Sequence, residues 1–391
     1  MRIALQEIDP LIDQVKEIAE SERNKALRKS TPQVSVHVGI GRSYLSRING
    51  YDMVEFFSDP SVRVWGYLKN KLFLYENFPD DTVVEPSIGY DYGAAGTLEA
   101  ELLGVPPVFV KEKDPFVAVS PNIKESADLK RLKIPDFYDS GPMSYIHEKY
   151  AQVCEIVDGR LDVSFPGWVR GPWSLACFLR GFTELYMDIL DEPEFVKELL
   201  DFTVEARISW EKQRSEFLGI SSDDPSNMFT NCYDDYRRVH VSDQYSDEVD
   251  GALLSPRIYE DVLFPAEKKL ADFYNGVRYY HSCGNLTPLL PRLTTLSGLQ
   301  ILHISSWTDI QKAYDLTGPD VTLQIALHPE DDVINASEEH IRKKTRTLLE
   351  AVKERKTWIC ADAIYSGNLD AVKRWLSITK DEVQMSGVNN T

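Results

Sequence analysis

Long apolar runs are missing from this chain. No window of about 18 consecutive apolar residues occurs, which excludes a membrane-spanning helix. The first ten residues, from Met1 to Pro10, also lack the apolar centre of a secretory signal. Cysteine is scarce and odd in number, five in 391 residues, so a disulfide framework is excluded and a reducing, cytoplasmic setting is expected. Positive charge is in short supply: 43 Lys and Arg face 62 Asp and Glu, a formal net charge of −19. A surface of that sign repels phosphate backbones and anionic lipid, so neither nucleic acid nor a membrane is an expected partner. Nucleotide signatures are absent as well. Gly39-Ile40-Gly41 runs into Arg42 and Ser43 without the third glycine of a dinucleotide loop, and no phosphate-cradling G-x-x-x-x-G-K-[ST] loop occurs. The chain has no internal repeat and no low-complexity tract.

What is present is core material, 43% apolar and 11% aromatic, ample for a large α/β unit. In residues 1–30, Leu5, Ile8, Leu11, Ile12, Val15 and Ile18 recur at helical spacing and predict one amphipathic N-terminal helical extension. Eight β-rich runs follow, at 33–39, 82–87, 161–166, 239–243, 277–281, 299–304, 321–326 and 356–361. Helical stretches lie between them, such as 183–217, 256–275 and 337–353, the last opened by Ser337. Regular β-then-α alternation predicts a closed (β/α)8 TIM barrel over 31–380 rather than an open doubly wound sheet. The segment between the second and third runs is longer than a crossover needs, and proline-rich (Pro106, Pro107, Pro115, Pro121, Pro135, Pro142). Much of it is expected as irregular lid or wall. Residues 381–391 read as a flexible tail.

Histidine is as scarce as cysteine, seven in all, and one sits in a ligand-like pattern: Tyr279-Tyr280-His281-Ser282-Cys283-Gly284-Asn285. On a strand, positions i and i+2 share a face, so His281 and Cys283 converge at the end of the fifth run. In a (β/α)8 barrel that end is where active sites are built. Cys360, in the eighth run, offers a third soft donor. One imidazole and two thiolates are a zinc set that leaves a position open for substrate. The same residues also fit a core histidine and two small buried hydrophobes. Cys154, Cys177 and Cys232 read as packing residues. In Phe57-Ser58-Asp59-Pro60, the aspartate reads as the N-cap of a helix whose first residue is Pro60.

From about Gln33 to Trp375 the chain resembles the uroporphyrinogen decarboxylase-like superfamily, and within it the cobamide-dependent zinc methyltransferase branch. The residues that carry the resemblance are Gly171-Pro172-Trp173-Ser174-Leu175-Ala176, Leu254-Ser255-Pro256-Arg257-Ile258-Tyr259, Pro265, His281-Ser282-Cys283-Gly284-Asn285 and Cys360. In that branch a His-x-Cys pair is joined by a cysteine about 77 residues on, and Cys360 follows Cys283 by 77 positions. The resemblance implies zinc held by His281, Cys283 and Cys360. It further implies methyl transfer between a small methylated substrate and the cobalamin of a partner corrinoid protein. Porphyrinogen decarboxylation is disfavoured, because Val38 to Tyr44 keeps a single arginine where the decarboxylases have an arginine-rich grip.

Aromatic residues near the run ends, among them Tyr92, Trp168, Tyr245 and Tyr280, suit an aryl methyl ether, and hence O-demethylation. A methylcobamide:coenzyme M methyltransferase and a metal-free lyase of the same fold are the alternatives. A further option is a barrel that binds without catalysing. Asp243, expected at the end of the fourth run, is the candidate acid or base, and Asp362, two beyond Cys360, a candidate substrate contact. The oligomeric state stays open, a homodimer included.

Overall fold

The computed structural model of the protein describes residues 3–30, 32–93, 96–118, 121–219, 244–247, 249–277, 279–365 and 367–389. Ten strands occur among them: β1 (Val34–Ile40), β2 (Ser87–Gly89), β3 (Pro107–Val110), β4 (Lys113–Val117), β5 (Asp162–Ser164), β6 (Gln244–Ser246), β7 (Tyr279–His281), β8 (Ile301–Ile304), β9 (Thr322–Ala326) and β10 (Thr357–Ile364). Six form one parallel arc in the order β1-β10-β9-β8-β7-β6, and β2 pairs in parallel with β5. The first and last strands of the chain are therefore neighbours, as a (β/α)8 barrel requires, and helices fill the crossovers. β1 is buried along its whole length, with Val34, Val36, Val38 and Ile40 on one face and Ser35, His37 and Gly39 on the other. No helix among the described residues is long and apolar enough to cross a membrane.

Several local expectations are corrected. The N-terminal extension is two helices, Leu5–Ala19 and Glu22–Lys29, because the Ser21 side chain accepts from Asn24 N–H and starts a second helix. The stretch 183–217 is likewise divided, into Phe182–Asp191 and Pro193–Leu218, where Pro193 opens the second helix and cannot continue the first. The proline-rich insertion is not irregular throughout. It carries the antiparallel hairpin β3–β4 and a helix, Met143–Val157. The expected tail is helical as far as Ser386, and Asn389 hydrogen-bonds both the N–H and the C=O of Val34. The fourth barrel strand is Gln244–Ser246, whereas the run at 239–243 lies outside the described residues. The Asp59 cap stands: its carboxylate accepts from Ser61 and Val62 N–H, with Pro60 as first helical residue.

Two seams of the barrel, β1 to β2 and β5 to β6, have no strand ladder among the described residues. Aspartates bridge both, Asp80 and Asp247 buried and Asp81 half-buried. At the first seam, Val38 N–H donates to Asp80 (3.0 Å) and Val36 N–H to Asp81 (2.8 Å), so carboxylates stand in for the missing strand carbonyls. At the second, Asp247 accepts from the N–H groups of Trp173 (3.0 Å) and Ser174 (2.6 Å), which open the helix Pro172–Arg180 after β5. Burial pushes the Asp80 carboxyl up to about 6, against the pull of its hydrogen bonds from Thr82 and Val38.

The folded chain therefore keeps a proton on Asp80 across about pH 4–6, where an unfolded aspartate has already released it. Stability falls as pH rises through that window. Asp80→Asn removes the titration. Between pH 4 and 7 the wild type is expected to lose about 2–3 kcal/mol relative to the variant, read by urea unfolding at each pH. Parallel pH profiles would refute the assignment.

Candidate functional site

β7 ends at His281, and the chain then turns sharply at Ser282–Asn285. That turn is held from three sides. Ser282 Oγ donates to Val249 O (2.6 Å), Ser305 Oγ to Gly284 O (2.7 Å), and Asn285 N–H to Asp250 (3.3 Å). Position 284 admits only glycine without rearrangement, since a Cβ there would stand 2.5 Å from Val249 O. The result is a fixed platform that presents the exposed Cys283 beside His281, with Sγ and Nε2 3.8 Å apart. Two donors on one tetrahedral zinc stand about 3.6 Å apart. The same-face expectation for this pair therefore holds.

His303, at the end of β8, was not singled out from the sequence. Its ring lies 4.1 Å from that of His281, and its Nδ1 is 2.9 Å from Ser282 O. A carbonyl can only accept, so Nδ1 carries the proton and Nε2 is left as the acceptor nitrogen. The strand pattern held the clue: β8 ends beside β7, and both His303 and Ser305 line the cavity above it.

Cys360 occupies a different level of the barrel. It is buried in β10, in register with His37 of β1 and Ala326 of β9, and packs with Tyr279 and Trp358. The Tyr279 ring in turn lies 6.3 Å from His281, nearly parallel to it. Cys360 thus shares the interior with the His281–Cys283 pair, one tyrosine away. Among the described residues no group of three His, Cys, Asp or Glu stands close enough to hold a metal ion. One imidazole and two thiolates are a donor chemistry that fits zinc, and of the expected set His281 and Cys283 stand together.

A cavity of about 610 Å³ opens above this platform, within the range of small-molecule sites. His281, Cys283, His303 and Asp362 line it, as do Tyr92, Arg42, His328, Trp307 and Tyr365. Asp362 sits where expected, two beyond Cys360 and against Gly39, whose missing side chain makes room for the carboxylate. Tyr92 also reaches the cavity, flanked by Phe109 and Tyr145. Burial and its bond to Glu101 push its phenol well above the usual range, and burial raises the Glu101 carboxyl too. The single arginine of the 38–44 stretch, Arg42, is an ion-pair partner of Asp91 (2.6 Å) and Asp114 (3.9 Å).

Other nominated residues fall elsewhere. Tyr280 is fully buried on the outer side of β7, donating to Glu267 (2.8 Å), because it alternates with His281. The interior tyrosine is Tyr279, whose hydroxyl donates to Gln324. Trp168 is buried against Trp210, its indole N–H on Arg170 O, and does not line the cavity. Tyr245 lies in β6 in register with Tyr280. Asp243 lies outside the described residues. With β6 at Gln244–Ser246, the acid at the C-terminal end of the fourth strand is Asp247, fully buried and committed to the seam.

No curated protein matches the chain. Among solved structures, a methyltransferase from Methanosarcina mazei is similar, with a TM-score of 0.61 at 18% identity over 90% of this chain and 94% of that one. That likeness concerns the fold. The model of the family described as uroporphyrinogen decarboxylase (URO-D) matches residues 89–213 and 241–363, more than half of the length, and takes in β3 to β9, all but the last residue of β10, the His281–Cys283 turn and Cys360. The chain belongs to the uroporphyrinogen decarboxylase (URO-D) family.

Proposed function

We propose that this protein is a methyltransferase, moving a methyl group from a small methylated substrate, favoured as an aryl methyl ether, to the cobalamin of a corrinoid protein. Zinc is its metal, with His281, Cys283 and Cys360 as ligands. The observation that carries the reading is the His281–Cys283 pair, 3.8 Å apart on a braced turn at the floor of the cavity. A zinc ion held there would act as a Lewis acid toward the heteroatom that gives up or accepts the methyl group.

The chain's own residues do the rest. The Ser282–Asn285 turn fixes the donors before substrate arrives, so little reorganisation is left for the reaction. His303, with Nδ1 committed to Ser282 O, offers Nε2 to a proton on the substrate side. Tyr92, Trp307 and Tyr365 supply ring faces and edges to a flat substrate. Asp362 provides a carboxylate at the cavity wall that can orient a hydroxyl or a protonated group.

The test is incubation with reduced cobalamin and a panel of aryl methyl ethers, methanol and methylamines, followed by the visible spectrum of methylcobalamin. Methylation from an aryl ether, and none without cobalamin, is the expected result. Turnover of methanol or a methylamine alone would retain the class and reject the aromatic donor. Carbon dioxide release from a carboxylated porphyrinogen, without methyl transfer, would replace the reading by a decarboxylase.

A further inference from the structure

The cavity is larger than the platform it covers. It leaves the barrel mouth past Ile40 and Gly41 at the end of β1 and continues outside the sheet, along the helix Pro60–Asn77. This outer arm is walled by Val38, Tyr67, Leu74, Tyr75 and Phe78 and reaches Arg23 of the helix Glu22–Lys29. It runs beside the β1–β2 seam, where no strand ladder closes the wall. With Val83 and Val84, which also line it, these side chains make the arm suited to an apolar body.

Its far end is positive. The Arg23 guanidinium lies 4.6 Å from the Tyr75 ring centroid and donates to the backbone carbonyl of Asp80 (3.1 Å). No carboxylate side chain pairs it among the described residues. Lys71, buried on the same helix face, adds a second cation, its ammonium donating to Glu85 O and Ser87 O. The Asp80 carboxylate has its oxygens occupied by Val38 N–H and by the N–H and hydroxyl of Thr82.

We propose that the outer arm is a binding subsite for a small molecule with an apolar body and a single terminal anionic group, whose anion is recognised by Arg23. A guanidinium stacked on one face by an aromatic ring keeps its in-plane N–H donors for a carboxylate. The inference rests on this cavity being the substrate site and not on zinc, cobalamin or methyl transfer.

The experiment is calorimetric titration of the purified chain with 4-methoxybenzoate and with its neutral counterpart 4-methoxybenzyl alcohol. Wild type is expected to bind the carboxylate about tenfold or more tightly than the alcohol. Arg23→Gln should erase that preference while leaving the alcohol's affinity unchanged, and Arg23→Lys should restore part of it. Leu74→Trp, which fills the arm, should weaken both probes, with far-ultraviolet circular dichroism confirming the fold. Equal affinity for the two probes in wild type, a preference that survives Arg23→Gln, or full binding in Leu74→Trp would each overturn the proposal. None of these readings involves turnover, so failure of the methyl-transfer reading leaves them intact and the reverse also holds.

Discussion

Cys283→Ala is expected to abolish zinc binding, taking metal content from about one ion per chain to near zero while the fold survives. The thiolate is the exposed member of the pair and sits on a turn braced by Val249, Ser305 and Asp250, none of which needs the metal to hold its place. Removing one of three protein donors from a site that also holds substrate leaves too few to retain zinc against buffer. Cys360→Ala is expected to lose zinc as well, with a separate cost in stability. Cys360 is buried against Tyr279 and Trp358, so truncation also opens a small void worth about 1 kcal/mol. Methyl-transfer rate should fall by at least about 10³-fold in both variants if the metal supplies the main electrostatic stabilisation. Metal analysis of the purified variants, paired with urea unfolding, separates the two effects. Full zinc retention in Cys283→Ala would remove the metal from this site. Retention in Cys360→Ala alone would instead point to a third ligand other than Cys360.

That distinction arises because the sequence described one half of the site better than the other. Strand parity is a local rule, and it placed His281 and Cys283 together without any knowledge of the fold. The same rule, carried one step back, points to Tyr279 as the interior tyrosine. Tyr280, an aromatic residue near a strand end, faces Glu267 instead. Cys360 depends on register between strands distant in the chain. There, a difference of one pair moves a side chain between levels of the barrel. Strand positions were largely legible because apolar runs with β-branched residues mark them. The expected run at 239–243, with Asp243 at its end, lies outside the described residues. The hairpin β3–β4 was hidden behind prolines that read as breakers, although Pro107 and Pro115 stand on two short paired strands away from the barrel. Breaks at Ser21 and Pro193 follow from capping chemistry. A periodicity count overlooks it, because the apolar stripe continues across the break.

The seams are the least legible feature and have the largest stability consequence. A barrel with eight full ladders needs no side chain to close it, whereas among the described residues Asp247 is what joins β6 to the start of the helix after β5. That carboxylate accepts from two N–H groups at the start of the helix Pro172–Arg180, where the helix dipole also favours negative charge. Asp247 N–H donates to His281 O (3.0 Å), so the same residue ties the seam to the strand that carries the metal pair. Asp247→Ala would leave two buried N–H groups unpartnered, and the expected loss is about 3–5 kcal/mol. Asp247→Asn keeps the shape and one acceptor but turns an NH₂ group toward the second donor, so an intermediate loss of about 1–3 kcal/mol is expected.

Burial also raises the Asp247 carboxyl, so the native chain holds its proton to higher pH than the unfolded chain does. The contribution of Asp247 is therefore greatest below the ordinary aspartate range and declines as pH rises above it. Urea unfolding of the three proteins at pH 4 and pH 7.5 measures both effects. A loss below about 0.5 kcal/mol in Asp247→Ala would mean that the seam is held by packing alone. Equal zinc content in Asp247→Asn and wild type, with reduced stability, would assign the residue to closure of the barrel and leave the chemistry to His281, Cys283 and their neighbours.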